Sequence, residues 1–157
     1  MPADPELTLT VEPADSNVSV RLQSAFFADI ASRYPGWTPA SSQGVEPSEL
    51  APPSGVWIVA RLGGVPVGCG GLQALDTVTA EVRRIFLEPS ARGRGIGRAI
   101  LAELESRARE LAYERVRLTT GSAQPEALRL FRLAGYREIA PSTDGVFTSY
   151  WMEKNLT

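Results

Sequence analysis

The sequence predicts a single α/β domain: a mixed, mostly antiparallel sheet of about six or seven strands with a parallel pair at its centre. Two observations carry this. Short apolar runs bounded by Gly, Pro, Asn or Asp recur along the chain, with helical periodicities between some of them. Near the middle, an apolar run at Thr79–Leu87 passes through a glycine–arginine turn into a long amphipathic stretch and on to another apolar run at Val116–Thr120. Strand, helix, strand in that order is a βαβ unit, which pairs in parallel through a right-handed crossover.

Residues 1–6 are acidic and proline-rich and read as a frayed terminus rather than a signal peptide. Leu7-Thr8-Leu9-Thr10-Val11 alternates and predicts a first strand. Asp15, Ser16 and Asn17 can cap a helix that runs to about Tyr34, with Leu22, Phe26 and Ile30 on one face and Pro35-Gly36 as its stop. Residues 35–55 are rich in Pro, Ser and Gly, leave Trp37 exposed without an obvious partner, and allow one helical turn at Pro47-Ser48-Glu49-Leu50. Val56–Leu62 and Val65–Leu72 read as a hairpin turning at Gly63-Gly64. Gly68, Gly70 and Gly71 mark a bulge or a close backbone approach in its second strand.

The long helix is expected from about Gly95 to Ala112. Ile96, Ile100, Leu104, Ala108 and Leu111 form its apolar stripe, and Glu105 and Arg109 make an exposed pair. Gln124-Pro125 opens a further helix with Ala127, Leu128, Phe131 and Ala134 facing inward and Gly135 at its end. Tyr136–Ile139 and Val146–Lys154 complete the sheet around a turn at Asp144-Gly145. With 157 residues and no internal repeat, residues 7–157 form one domain.

Composition removes several chemistries. The chain has no histidine and one cysteine, Cys69, so a His-based triad, a histidine metal site and an internal disulfide are excluded, and no metal site is expected. A net charge of −2 argues against nucleic acid as a partner, and no apolar run reaches the roughly 18–20 residues of a membrane span. A single cysteine suits a reducing, cytoplasmic setting. Cys69, between glycines and with no activating histidine, reads as a small buried residue.

The mildly acidic chain nevertheless concentrates five arginines between positions 83 and 98. Arg92-Gly93-Arg94-Gly95-Ile96-Gly97-Arg98 places bare backbone where a helix begins, and unpaired N–H groups with a partial positive charge make such a site a phosphate cradle. The spacing is not the dinucleotide fingerprint. A P-loop lysine is absent too, because the only lysine is Lys154.

Arg92-x-x-Gly95-x-Gly97 between strand and helix resembles the acetyl-CoA loop of the GNAT N-acetyltransferases. Gln124-Pro125-Glu126-Ala127-Leu128-Arg129-Leu130-Phe131 through Gly135-Tyr136 is similar to that family's later helix and its Gly-aromatic ending. The resemblance covers about Val56 to Lys154. It implies a twisted sheet with helices on both faces, and acetyl-CoA bound between two splayed central strands. It implies coenzyme contacts at Arg92, Gly93, Arg94, Gly95, Ile96, Gly97 and Arg98, at the backbone of Ile85, Phe86 and Leu87, and at Gln124 and Phe131. It further implies direct acetyl transfer to a primary amine of a small molecule or peptide, by a monomer or homodimer.

An attacking amine must lose a proton, and the resemblance to histone-type members of the family makes Glu81, six residues before Leu87 on the central strand, the candidate base. The competing reading is a surface glutamate at a strand end, ion-paired to Arg83 or Arg84. Phe131 stands where many GNAT enzymes have a thiolate-protonating tyrosine, so Tyr136 or Tyr150 is left as a substitute donor, and a catalytically weak acyl-CoA-binding module is the alternative function. Gln124 replaces a common asparagine. Tyr34 and Trp37 are candidates to line an acceptor pocket.

Overall fold

The computed structural model describes residues 5–41, 44–141 and 150–157. Seven strands form one sheet in the order β1-β2-β3-β4-β5-β7-β6: β1 Leu7–Val11, β2 Val56–Leu62, β3 Val65–Ala74, β4 Thr79–Leu87, β5 Arg115–Thr120, β6 Arg137–Ile139 and β7 Tyr150–Asn155. Only β4 and β5 run parallel; the other neighbours are antiparallel. The helices are α1 Asn17–Arg33, α2 Ile96–Glu110 and α3 Pro125–Leu133. The expected turn at Asp144-Gly145, and the start of the last strand at Val146, lie outside the described residues.

Local chemistry sets the boundaries. The Ser16 hydroxyl accepts the Ser19 N–H and caps α1. Gly63 and Gly64 both take positive φ, as a two-residue hairpin turn requires. The Asp76 carboxylate accepts the N–H groups of Val78 and Thr79 and turns the chain into β4.

Alternation along the strands gives the sheet two apolar faces. Val56, Ile58, Leu72, Ala80, Val82, Val116, Leu118 and Met152 pack with Ile96, Ile100, Leu104 and Phe131, so α2 and α3 cover one face. Trp57, Val59, Cys69 and Phe86 pack with Leu22 and Phe26 of α1 and with Leu50 on the other. Glycines on β3 make room for this packing: a Cβ on Gly70 would lie 2.9 Å from Ile100 Cγ2, and one on Gly71 would lie 2.7 Å from Trp57 Cε3.

Three expectations are corrected. Glu105 is buried, not exposed: its carboxylate accepts the Tyr136 hydroxyl at 2.9 Å and pairs with Lys154 Nζ at 2.8 Å, while the pair four apart on α2 is Glu103–Arg107. Leu111 is an exposed helix cap beyond the apolar stripe. Trp37 is buried, its ring centroid 5.9 Å from that of Phe27, so an aromatic pair holds the start of the long loop against α1.

The loop is also held at its far end. A Cβ on Gly55 would sit 2.2 Å from the Glu49 carbonyl oxygen and 2.6 Å from that of Leu72, both backbone atoms that cannot swing aside. Gly55→Ala is therefore expected to cost about 2 kcal/mol or more and to lower Tm by roughly 5 °C in thermal unfolding. Gly44→Ala, where a Cβ meets nothing within 4 Å, should shift Tm by no more than about 2 °C.

Candidate active site

The parallel pairing of β4 with β5 covers only Thr79↔Arg115, Ala80↔Val116 and Glu81↔Arg117. Both strands continue, to Leu87 and Thr120, without further register between them. A cleft thus opens immediately beyond Glu81, and the β4 edge facing it carries main-chain donors and acceptors.

Glu81 lies in mid-sheet, opposite Gln73 of β3 and Arg117 of β5. Its side chain is 19% exposed, and its closest cation is Arg83 Nε at 3.9 Å, too long for a strong charge-assisted bond. Burial pushes the Glu81 carboxyl pKa up, and the charges of Arg83 and Arg117 oppose that only in part. On the same face, Arg83 Nη1 donates to Oε1 of Gln73, the cross-strand neighbour of Glu81, at 2.8 Å. Glu81 is thus no surface glutamate: it neighbours Arg83 but is a mostly buried carboxylate where β4–β5 pairing ends.

The cradle follows β4 through a 3₁₀ turn at Pro89–Ala91. Gly93 (φ +80) and Gly95 (φ +78) adopt left-handed backbone, and a Cβ on either would point into open space. Gly95 is the N-cap of α2 and offers no side-chain acceptor, so the first-turn N–H groups, Ile96 included, are left without a capping side chain, with the helix dipole behind them. Arg94 and Arg98 are exposed beside them, whereas the Ile96 side chain is buried core. A Cβ on Gly97 would rest 3.4 Å from Leu130 Cδ2, which makes its position a packing contact. Arg92 points elsewhere: Nε donates to the Leu87 carbonyl at 3.1 Å, and Nη2 lies 3.7 Å from Asp29. That bond fixes the end of β4 to the loop.

Ile85 and Leu87 pack toward α2, and Phe86 packs toward α1, so all three can meet a ligand chiefly through backbone. Phe131 is buried, 6.1 Å from the Tyr136 ring, and has no proton to donate. Tyr136 donates its hydroxyl to Glu105, and burial with the Glu105 charge pushes its pKa far up. Tyr150 lies under the Arg132 guanidinium at 5.8 Å. Gln124 is the α3 N-cap residue, and its Oε1 accepts the Tyr34 hydroxyl at 3.1 Å, while the hydroxyl oxygen of Tyr34 accepts the Ala123 N–H. Tyr34 and Gln124 therefore clasp the end of α1 to the start of α3. Cys69 is fully buried, and burial pushes its thiol pKa up, away from nucleophilic duty.

Two polar groups escaped the sequence reading. The Thr120 hydroxyl is buried without a hydrogen-bond partner among the described residues, at the tip of β5 where it leaves β4. Arg84 takes φ +58 in mid-strand, and nothing in its sequence context flags that. Open space above Gly93 and Gly95, an orphaned hydroxyl and an unzipped strand pair fit the coenzyme that the sequence suggests.

Comparison with known proteins agrees with this geometry. The model of the acetyltransferase (GNAT) family matches residues 22–136. An IAA acetyltransferase of Azospirillum brasilense is 32% identical over 139 residues, covering 87% of this chain and 88% of that protein. The N-alpha-acetyltransferase RimI of Mycobacterium tuberculosis is 36% identical over 107 residues, covering 66% and 63%. Among solved structures, a GNAT-family acetyltransferase of Staphylococcus aureus superposes with TM-score 0.78 at 16% identity, covering 97% of this chain and 100% of that one. One from Elizabethkingia anophelis with acetyl-CoA bound gives 0.65 at 17%, covering 94% and 95%. The chain belongs to the GNAT acetyltransferase family and is an acetyl-CoA-dependent acetyltransferase.

Gly95→Val is expected to weaken acetyl-CoA at least tenfold in calorimetric titration, because a β-branched residue resists φ +78 and its side chain would fill the cradle. Gly97→Ala, at ordinary contact with Leu130 and Leu87, should change the affinity less than about threefold.

Proposed function

We propose that this enzyme transfers the acetyl group directly to a primary amine in a ternary complex, with Glu81 as the proton acceptor. The observation that carries this is the end of β4–β5 pairing at Glu81 itself, so a half-buried carboxylate borders the cleft in which acyl transfer would occur. Acetyl-CoA supplies the activated acyl group as a thioester. Everything else falls to the chain.

A free alkylamine is protonated at neutral pH and cannot attack until the proton leaves. A carboxylate raised toward neutrality by burial takes that proton better than an ordinary one, because its affinity is closer to the working pH. Main-chain N–H groups along β4 between Ile85 and Leu87 supply fixed donors for an acyl oxygen. Gly93, Arg94, Gly95, Ile96, Gly97 and Arg98 hold the diphosphate, Arg92 orients the loop, and Thr120 offers its hydroxyl inside the cleft. No side-chain acid is assigned to the leaving thiolate. A thiol with a pKa of about 8.5 leaves tolerably without one, Phe131 cannot donate and Tyr136 is committed to Glu105. Two curated relatives, named as acetyltransferases of IAA and of N-alpha groups, favour a small or peptidic acceptor. The buried, unpaired Cys69 is compatible with a cytoplasmic setting.

The test is thiol release across a panel of primary amines, with Glu81→Gln beside wild type. The variant is expected to lose a factor of about 10² or more in kcat/KM, together with the acidic limb of the pH profile. Its stability should move the opposite way. A carboxyl whose folded pKa exceeds its unfolded value contributes stability below the unfolded pKa and loses it as pH rises through the folded one. At pH 7 Glu81→Gln should therefore be at least as heat-stable as wild type. Undiminished turnover would remove Glu81 from the mechanism, and coenzyme binding with no turnover on any amine would favour a binding module.

A further inference from the structure

Among the described residues, Arg84 is a half-buried cation on β4 that no carboxylate pairs. Its backbone takes φ +58 at the bulge where β4 departs from regular pairing with β3. That bulge turns its side chain toward α1, on the same side of the sheet as Glu81 and Arg83. There Nη1 donates to Gln23 Oε1 at 2.6 Å, and the guanidinium lies 4.8 Å from the centre of the Phe27 ring. Gln23 is itself buried and spends its amide N–H groups on the carbonyls of Ala14 and Ser19. The guanidinium is thus aimed from one edge and backed by an aromatic face.

What it lacks is an anion. Among the described residues Arg84 forms no ion pair and no second hydrogen bond, although a guanidinium carries five N–H donors. Carboxylates on α1 and β4 have other partners: Asp29 is shared by Arg33 and Arg92, and Glu81 is nearest Arg83. Burial, then the charge of Arg83, disfavours the cation. A half-buried cation held in strained backbone, with most of its donors unused among the described residues, is arranged for a ligand that brings the missing charge.

We propose that Arg84 binds a carboxylate of the amine acceptor, so that the enzyme acts on free amino acids or similar amino-carboxylates rather than on plain amines or peptide N-termini. Glu81 and Arg84 share a face on one strand, separated by Val82, which faces α2, and by Arg83. An acceptor that places its amine at Glu81 can therefore present its carboxylate to the guanidinium, which suits a planar, two-oxygen partner. Phe27, with Phe26 and the buried Trp37 packed behind it, is the adjoining aromatic face, which favours an apolar side chain.

This rests on the transferase reading, and the experiment separates the two. Wild-type protein, both alone and saturated with coenzyme A, is titrated calorimetrically with the common amino acids, their amides and their decarboxylated amines. For at least one side chain, the amino acid is expected to bind at least tenfold more tightly than both its amide and its amine. That ratio should fall to within about threefold in Arg84→Gln and stay intermediate in Arg84→Lys, with Tm recorded for each variant. If amides or amines bind as well as the acids, if no amino acid binds, or if a folded Arg84→Gln keeps the preference, the proposal is wrong. Acetylation of carboxylate-free amines would then leave the transferase reading standing. Failure to bind acetyl-CoA would remove that reading, while the wild-type ratio would still report on Arg84.

Discussion

One extra residue in β4 governs the geometry around it. Between the pairs Gly71↔Arg83 and Cys69↔Phe86, β3 contributes Gly70 alone whereas β4 contributes Arg84 and Ile85. Two residues against one is a β-bulge, and it reverses which side chains face which helix. Before it, Ala80 and Val82 pack toward α2 and Glu81 points away; after it, Ile85 and Leu87 pack toward α2 and Phe86 joins the α1 cluster. Gly70 leaves the space that Ile85 and Ile100 occupy. A positive φ at an arginine costs about 1–2 kcal/mol, and the apolar burial of Ile85 and Phe86 more than offsets it. The same distortion lies on the stretch of β4 that has left β5, so cleft and bulge are aspects of one departure from regular pairing.

Two buried carboxylates show how environment divides labour. Glu105 receives the Tyr136 hydroxyl and the Lys154 ammonium, which ties α2 to β7 and to the segment entering β6. Glu81 has a cation only at 3.9 Å, and burial dominates. A satisfied carboxylate serves architecture; a poorly satisfied one beside a cleft is the better proton acceptor. The helix start beyond the C-terminal end of β4 then provides positive potential with little cost to the core, because its donors are main-chain groups fixed by α2 itself.

Much of this was legible in the residues. The bounds of β1, β2 and β4 follow from alternation and turn residues, and the cradle follows from glycines set before an amphipathic run. The errors share a cause. Glu105 looked exposed because its partners lie 31 and 49 residues away, beyond the reach of helical periodicity. Trp37 looked partnerless because Phe27 meets it only after α1 docks. The bulge at Arg84 was hidden because a non-glycine residue occupies the left-handed position, and the glycines that accommodate the departure sit on the neighbouring strand. Thr120 reads as an ordinary strand residue until its neighbouring strand is seen to leave.

The central claim is that the cleft between β4 and β5, together with the start of α2, is where the coenzyme lies. Amide hydrogen exchange with and without saturating acetyl-CoA tests it most directly. The account predicts slowed exchange at residues 82–87 of β4 and at residues 93–98, with Thr79–Glu81, already paired to β5, little changed. Protection confined to other strands or helices, with these two segments exchanging as before, would contradict it.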